Sequence, residues 1–349
     1  MGEASAGRAF IGSFTSAGGR GIIAATVDGE TGRLTETGVS DALADPSYLA
    51  LAIGLRGPVL YAVSETPEGA VAAFDIEGPS PKPVGSRVPV CGEGPTHLAL
   101  AAGHLLTANY SSGSVSVLPL GTAGEPGGAT GVLQHEGTGP DPERQRSPHA
   151  HQVLPDPSGR WVLAVDLGTD SVRICAFDPR AGELILHGET ALRPGTGPRH
   201  LAFHPAGSHA YVLNELEPTL TVCRWDADAG VLEPLGEQSV LPPGVAGRVY
   251  PSEVVVSHDG RHLWTANRGH DSIAVLTLDE TRERAELVTT VPCGGHWPRD
   301  LALDPTGRRL YAANERSGDV TWFDIDPDTG VPHRAGSLAA PAASCVIFA

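Results

Sequence analysis

The chain repeats one sequence unit about every fifty residues, and this repeat constrains the fold more than any other feature. Each unit has a proline, a short apolar run, a turn with glycine, a second apolar run with an aromatic residue, and a final polar residue. The clearest copies are PRHLAFHPAGSHAYVLNE (198–215), PSEVVVSHDGRHLWTANR (251–268) and PRDLALDPTGRRLYAANE (298–315). Weaker copies occupy 46–65, 95–110 and 150–167.

The spacing of these units suits propeller blades of four strands each. The second apolar run of the six internal units ends at Ser64, Asn109, Asp166, Asn214, Asn267 and Asn314. A further alternating segment follows, as in SVRICAFD and TLTVCRWD, and no segment has convincing helical periodicity. The sequence therefore predicts an all-β propeller, with an open solenoid as the structural alternative.

The two ends of the chain supply one more unit. The C-terminal PAASCVIFA (341–349) resembles only the first strand of a unit, and residues 8–28 resemble the remainder. Pairing of these strands would close the ring and leave no exposed sheet edge. We therefore predict a seven-bladed β-propeller closed by its N- and C-terminal strands, forming a single domain over 9–349 after a short disordered N-terminus at 1–8.

Composition limits the partners of the chain. The formal net charge is −17, which disfavours contact with nucleic acid or anionic membranes. The five cysteines lack any C-x-x-C spacing, which favours reduced thiols. The chain has neither a signal-like start nor an apolar run of 18 residues. We expect a cytoplasmic protein, monomeric or weakly self-associating, that binds a small molecule and needs no cofactor or metal.

Candidate site residues follow from blade geometry, because innermost strands begin and second strands end on one face, around the central channel. The residues after the repeated proline are Ser47, Thr96, His151, Arg199, Ser252 and Arg299, followed by Tyr48, His97, Gln152, His200, Glu253 and Asp300. The residues after the final polar position are Glu65, Tyr110, Leu167, Glu215, Arg268 and Glu315. Such a ring of charges is costly without a polar ligand or mutual salt bridges. It offers cations for an anion, and His and Glu for proton transfer.

Structural roles compete with functional ones at several of these positions. Asn267 and Asp166 are expected to bond the backbone of a neighbouring blade, and Arg199 and Glu215 could each serve only in a salt bridge between blades. His149 and His151 lie two residues apart and share one face of a strand. That spacing could ligate zinc, but the sequence indicates no third ligand.

Four segments resemble the seven-bladed propeller lactonases, a family that includes cycloisomerase-type 6-phosphogluconolactonases and fungal carboxy-muconate lactonizing enzymes. The segments are SPHAHQVLPDPSGRWVLAVDLGTD, GPRHLAFHPAGSHAYVLNELEPTL, PSEVVVSHDGRHLWTANRGHDSIAVL and PRDLALDPTGRRLYAANERSGDV. The resemblance extends from about Ala9 to Phe348. It implies a catalytic set of one His, an Arg–Glu pair and a second Arg. By motif these are His151, Arg199, Glu215 and Arg268, with His149 as the alternative histidine.

The resemblance implies hydrolysis of a sugar lactone, with 6-phosphogluconolactone to 6-phosphogluconate, a step of the pentose phosphate pathway, as the first choice. Glu215 or His151 would activate water, and Arg199 and Arg268 would bind the substrate anion or the oxyanion. Arg299 or His200 would hold a phosphate. We predict further substrate contacts at a second set of positions, namely His149, His200, Glu253, Arg299 and Asn314.

Three alternative functions remain open from the sequence. A muconate-type lactonizing enzyme, or cycloisomerase, would use the same pocket in the reverse sense. A non-enzymatic ligand-binding propeller would bind without turnover. A calcium-dependent sugar lactonase would need a carboxylate cluster that the sequence does not make evident. Whether the glycine-rich segment 121–147 covers the pocket as a lid is also open.

Overall fold

A computed structural model describes residues 7–54 and 57–349 of the chain and shows seven four-stranded antiparallel sheets within those ranges. Written from the innermost strand outward, the sheets are β28 (Ala343–Phe348), β1 (Gly7–Ser13), β2 (Ile22–Val27) and β3 (Leu34–Ser40); β4 (Leu49–Gly54), β5 (Gly57–Ser64), β6 (Ala70–Asp75) and β7 (Lys82–Pro89); β8 (Pro95–Ala101), β9 (His104–Asn109), β10 (Ser114–Pro119) and β11 (Gly131–Gln134); β12 (Ala150–Pro155), β13 (Trp161–Asp166), β14 (Ser171–Asp178) and β15 (Glu183–Ala191); β16 (Pro198–Phe203), β17 (His209–Asn214), β18 (Thr219–Asp226) and β19 (Val231–Ser239); β20 (Tyr250–Val256), β21 (His262–Arg268), β22 (Ser272–Leu278) and β23 (Ala285–Pro292); β24 (Pro298–Leu303), β25 (Arg309–Asn314), β26 (Asp319–Ile325) and β27 (Pro332–Ala339).

The sheets are arranged in a ring. Neighbouring innermost strands contact one another from β4 through β8, β12, β16, β20 and β24 to β28, and β28 in turn contacts β4. The predicted seven-bladed propeller is therefore confirmed. A 3-10 helix spans Thr15–Ala17, and no helix in the described part of the chain combines the length and apolarity needed to cross a bilayer.

The blade predicted from the two chain ends is also confirmed. β28 pairs with β1, so that Phe10 lies opposite Ile347 and Gly12 lies opposite Cys345. Gly12 is needed for close packing at this seam, because a Cβ there would overlap the carbonyl oxygen of Pro46 and lie 2.7 Å from the Cys345 sulfur. The ring is thus closed by backbone hydrogen bonds between the two ends.

The N-terminal boundary differs from the predicted one. Gly7 and Arg8 belong to β1 and pair with Val27 and Thr26, because the β1–β2 ladder continues over them. The disordered start predicted for residues 1–8 therefore does not include these two positions. Residues 1–6 lie outside the described residues.

The core lies between the blades. Inner strands have apolar residues on both faces, so that every residue of β17 is buried, whereas outer strands such as β19 are mostly exposed. Each face packs against the next sheet, as Val165 and Leu163 do against Val212 and Trp225. The blades therefore form a rigid ring that holds the ends of the innermost strands in fixed positions around the channel.

Candidate functional site

A β-bulge near the start of several innermost strands shapes the channel mouth. In β8, β12, β16 and β24 the register shifts across the second residue, so that two residues lie opposite one on the neighbouring strand. The residues without a partner in the register are Thr96 in β8, His151 in β12, Arg199 in β16 and Arg299 in β24. Because a bulge re-aims side chains, it lets consecutive residues such as Arg199 and His200 line the same cavity.

Glu215 lies at the centre of three arginines. Its Oε2 atom is 2.8 Å from the Nη2 atom of Arg268 and 3.2 Å from the Nε atom of Arg199. Its Oε1 atom is 2.7 Å from the Nη2 atom of Arg144. The Glu215 side chain is only 6% exposed. Three guanidinium charges therefore surround one carboxylate, and the cluster has an excess of positive charge.

The arginines determine the ionisation of this carboxyl. Burial raises the pKa of Glu215, but the charges of Arg268, Arg199 and Arg144 outweigh burial and lower this pKa to about 2. Glu215 is therefore ionised at neutral pH and only weakly basic. Such a carboxylate is better suited to hold guanidinium groups in place than to take a proton from water.

Three imidazoles and a phenol pack beside this cluster. The ring centroids are 5.1 Å apart for His151 and His200, 5.5 Å for His97 and His200, and 4.2 Å for Tyr48 and His97. Burial lowers the pKa of each of the three histidines well below its usual range, and the charge of Arg199 lowers it further. The imidazoles are therefore neutral at pH 7, and each keeps one nitrogen that can accept a proton.

His200 also contacts a buried pair of carboxyls. Its Nδ1 atom is 2.7 Å from Glu253 Oε2, while the Val254 N–H donates to Glu253 Oε1 over 3.0 Å. Asp300 hydrogen-bonds to Glu253 and accepts the N–H of Val346 over 2.8 Å. Two carboxyls in such contact need a proton between them. Burial raises the pKa of Glu253 to about 7, and burial and the Glu253 charge raise that of Asp300.

Two of these imidazoles, those of His151 and His200, each have one buried nitrogen without a hydrogen bond to another described residue. His151 Nδ1 and His200 Nε2 are buried and make no hydrogen bond to any protein group in the described ranges. A proton on Nδ1 of His200, donated to Glu253, leaves Nε2 as an acceptor. The blades that contain β12 and β16 thus supply neutral imidazoles close to the arginines around Glu215.

His149 lies at the edge of the mouth. Its ring stacks on Tyr110 at a centroid distance of 4.4 Å, and its Nδ1 atom is 2.9 Å from the Tyr110 carbonyl oxygen. His151 meets the same Tyr110 ring edge-on and lies closer to the interior, next to His200. Among the described residues no group of three or more His, Cys, Asp or Glu side chains is placed to hold a metal ion.

Arg299 lies at the mouth, but its charge is balanced by its neighbours. The guanidinium is 3.4 Å from Glu315 Oε2 and 3.7 Å from Glu65 Oε1, and its central carbon lies 4.7 Å from the centre of the Phe14 ring. His200, the other predicted phosphate ligand, is buried and committed to Glu253. Neither residue has the uncompensated positive charge that a phosphate site requires.

Asn314 bonds within its own blade, and the substrate contact predicted for it stays a prediction. It is fully buried, and its amide donates to Thr321 within its own blade over 3.1 Å. Asn214 makes the corresponding bond to Thr221. Asn267 donates to the Val240 carbonyl of the preceding blade over 3.2 Å, which confirms the structural role predicted for it.

Arg144 is the functional residue that the repeat pattern misses. It lies in the turn after Asp141, whose carboxylate accepts the N–H groups of Glu143 and Arg144 over 2.8 and 2.9 Å. The Gln145 amide fixes the same turn by donating to the Leu167 carbonyl over 2.8 Å. The only sequence signal was the long interval between Asn109 and Asp166, which exceeds the others and indicates an insertion between blades.

A pocket of about 450 Å³ adjoins the arginine cluster. Its wall includes Arg144, Leu216, Arg248 and Tyr250, with apolar residues of the loop before β20. Arg144 therefore stands between Glu215 on one side and this pocket on the other. A volume of this size is in the range that small-molecule sites occupy.

Comparison with known proteins gives a consistent result over the whole chain. Residues 8–348 match the family described as "Lactonase, 7-bladed beta-propeller". A 6-phosphogluconolactonase of Bacillus subtilis is 33% identical over 344 residues, which cover 97% of each chain. Among solved structures, the periplasmic gluconolactonase of Pseudomonas aeruginosa superposes with a TM-score of 0.89 at 28% identity, covering 99% of each chain. A protein from Lactobacillus plantarum superposes with a TM-score of 0.92, also at 28% identity and 99% coverage of each chain.

Proposed function

Since the chain belongs to the seven-bladed β-propeller lactonase family and is a lactone-hydrolysing enzyme, we propose that it opens the ring of a sugar lactone, with 6-phosphogluconolactone as the substrate and 6-phosphogluconate as the product. The names of two similar proteins, a 6-phosphogluconolactonase and a gluconolactonase, support a sugar substrate. The phosphorylated substrate is our proposal from the first of these and from the cationic mouth.

The observation that carries this proposal is the cluster of three arginines around Glu215, next to the neutral imidazole of His151. Attack of water on a lactone carbonyl creates a negative oxygen, and ring opening then yields a carboxylate. Fixed donors and positive charges aimed at such an oxygen lower the barrier, because they need no rearrangement during the reaction. We assign this role to Arg199 and Arg268.

We assign the base to His151 rather than to Glu215. His151 keeps Nδ1 free of any hydrogen bond within the described ranges, whereas both oxygens of Glu215 are held by arginines. His151 takes a proton from water while the water oxygen bonds to the carbonyl carbon. The bond from that carbon to the ring oxygen then breaks, and His151 returns the proton to the leaving alkoxide. The product hydroxy acid finally loses its own proton to solvent.

The other predicted contacts take supporting roles in this proposal. His149 and Tyr110 form the wall of the mouth, and Glu253 holds His200 beside His151. Arg299 stays at the rim, paired with Glu65 and Glu315. These assignments place the reacting lactone carbonyl at the level of Arg199, above the buried carboxyl pair.

A lactone panel tests the proposal. Ring opening of 6-phosphogluconolactone and gluconolactone should exceed the spontaneous rate, and His151→Ala should lower kcat by about 100-fold or more, the usual contribution of a general base. His187→Ala is the matched control, since His187 lies exposed on an outer strand. A carboxy-muconate belongs in the panel for the reverse reaction. Turnover by His151→Ala at the wild-type rate, or no acceleration with either sugar lactone, would contradict the proposal.

We also propose a cytoplasmic enzyme built as a single propeller domain, predicted over 9–349, whose first strand begins at Gly7. The five cysteines, of which Cys91 alone is exposed, are free, as is usual in a reducing compartment. Its predicted monomeric or weakly self-associating state stays a prediction, which light scattering of the purified protein measures.

A further inference from the structure

Arg144 differs from the other two arginines that contact Glu215. Its side chain is 35% exposed, against 4% for Arg199 and 7% for Arg268. Both of its side-chain hydrogen bonds come from one nitrogen, Nη2, which donates to Glu215 and, over 3.1 Å, to the hydroxyl of Tyr110. Within the described ranges its Nε and Nη1 atoms have no protein acceptor. Arg144 thus has donors left for a ligand.

The pocket of about 450 Å³ lies against this exposed side of Arg144. Arg248 forms another part of its wall and lies on the surface, with no contact to Glu215. Of the two acidic residues in the wall, Asp141 uses one carboxylate oxygen to cap its own turn, and Glu143 is exposed. Leu216, Leu241 and Val249 supply apolar surface. The pocket therefore combines an apolar wall with two arginines and two carboxylates, and the charges of Glu143 and Asp141 act on Arg248.

The charges favour an anionic group at this place. Glu215 supplies one negative charge against three positive ones, so two positive charges in the cluster lack a counter-charge within it. Arg299, the alternative cation, already has Glu65 and Glu315 beside it. A guanidinium with free donors matches the oxygens of a phosphate in number and geometry.

We propose that Arg144 and Arg248 bind the phosphate of a phosphorylated sugar lactone in this pocket, while Arg199 and Arg268 act on the lactone carbonyl. This inference rests on the proposed function and deepens it, because it names the residues that select a phosphorylated substrate. The turn at Asp141–Gln145 then forms part of the substrate site, and this turn, rather than the whole segment 121–147, covers one side of the mouth.

Paired kinetics with and without the phosphate provide the test. Arg144→Gln should raise KM for 6-phosphogluconolactone by about 10- to 100-fold, as expected when a charged hydrogen-bond donor is lost. The same variant should raise KM for gluconolactone by a smaller factor, because Arg144 also contacts Glu215. Arg248→Ala leaves the contacts of Glu215 intact and should raise KM for the phosphorylated lactone only, by about three- to tenfold. Arg193→Ala, which removes an exposed arginine paired with Glu237, is the control.

Product binding gives a second readout that does not depend on turnover. Isothermal titration calorimetry with 6-phosphogluconate and gluconate should show a preference for the phosphorylated acid in the wild-type protein and loss of that preference in both variants. If Arg144→Gln weakens binding of both lactones equally, Arg144 only holds Glu215 in place. If KM and the binding affinities do not change, Arg144 is not part of the site. Either result overturns the inference, although the lactonase activity itself would stand. If wild-type protein opens neither lactone, the proposed function fails, and the titration alone then decides whether the pocket binds phosphate.

Discussion

Two buried glutamates at the same channel mouth have opposite acid–base character. Glu215 follows β17 and Glu253 lies in the adjacent β20, and their side chains are 6% and 9% exposed. Nevertheless the pKa of Glu215 is lowered to about 2, whereas that of Glu253 is raised to about 7. Burial opposes ionisation of both carboxyls, so the difference comes from their neighbours. At Glu215 three arginines outweigh burial, whereas at Glu253 burial prevails and the charge of Arg199 offsets it only in part.

The difference separates the two halves of the site by function. The Glu215 cluster contains three arginines and one carboxylate, so an anion would balance its excess positive charge. The pair of Glu253 and Asp300 is complete in itself, since a shared proton, two backbone N–H groups and His200 satisfy it. In the function proposed above, the first arrangement binds a ligand, whereas the second holds the imidazole of His200. Similar burial therefore does not imply a similar role.

Removing the charge of Glu215 should have the largest effect on stability. Glu215→Ala leaves the buried guanidiniums of Arg199 and Arg268 without a counter-charge, so the free energy of unfolding at pH 7 should fall by about 3–5 kcal/mol. Because the folded pKa of Glu215 lies below its unfolded value, its contribution is complete above about pH 4.5 and is lost as the pH falls towards 2. Guanidinium chloride denaturation at pH 7 measures the loss. A change under 1 kcal/mol would show that the three arginines do not depend on this carboxylate.

Replacing Asp300, the partner of Glu253, should have an intermediate effect on the free energy of unfolding, and this effect should depend on pH. A raised pKa means that the folded protein holds the proton more tightly, so this carboxyl pair lowers stability as the pH rises from about 4.5 through 7. Asp300→Asn removes one of the two carboxyls whose pKa is raised, and with it the part of the decline that burial and the Glu253 charge cause through Asp300. The difference in unfolding free energy between variant and wild type should grow by about 1–3 kcal/mol between pH 5 and 8.

The comparison of the two proteins across pH isolates the carboxyl pair from the neighbouring histidines. His97, His151 and His200 also titrate differently on folding, but their contributions largely cancel in the difference between wild type and Asp300→Asn. Parallel stability curves for the two proteins from pH 5 to 8 would contradict a shared proton between Glu253 and Asp300.

Replacing an exposed glutamate should have the smallest effect on the free energy of unfolding. This replacement tests whether an ion pair with arginine stabilises the protein when the pair is not buried. Glu237 lies 2.9 Å from Arg193 in a pair whose side chains are 23% and 48% exposed. Glu237→Gln should lower the free energy of unfolding by less than about 1 kcal/mol, because solvent screens such pairs. A loss as large as that of Glu215→Ala would attribute the stability to ion pairing itself rather than to the buried position of Glu215.

The fold could be predicted well because the same pattern of residues recurs in seven units. Proline, glycine turn and apolar runs recur in each unit, and the split unit at the chain ends fixed both the number of blades and the closure. The positions of Arg199, Glu215 and Arg268 followed from the same rule. Arg199 comes after the repeated proline, Glu215 and Arg268 come after the final polar residue of their units, and these two positions meet at the channel mouth.

The residues that the repeat pattern misses or does not distinguish are of two kinds. Asn314 shares its repeat position with Asn214, and the amides of both bond to a threonine of their own blade, so the pattern alone does not separate a substrate contact from a structural role. Arg144 lies in an insertion between blades, where its approach to Glu215 depends on the turn at Asp141. Nor does the order of residues reveal which of two buried glutamates faces cations, because two of the three arginines, Arg144 and Arg268, lie outside the blade of Glu215.

The seam between β28 and β1 has a consequence for biosynthesis. β28 follows all of the other strands in the chain, so six sheets can form while the first still lacks its innermost strand and its edge at Phe10 and Ile11 is unpaired. During that interval the growing polypeptide presents an open apolar edge, a known route to aggregation. Ser344, which lines the same small cavity as Arg199, arrives with the same strand. Closure of the ring and completion of this cavity are therefore a single event, which occurs only after translation has passed the last blade.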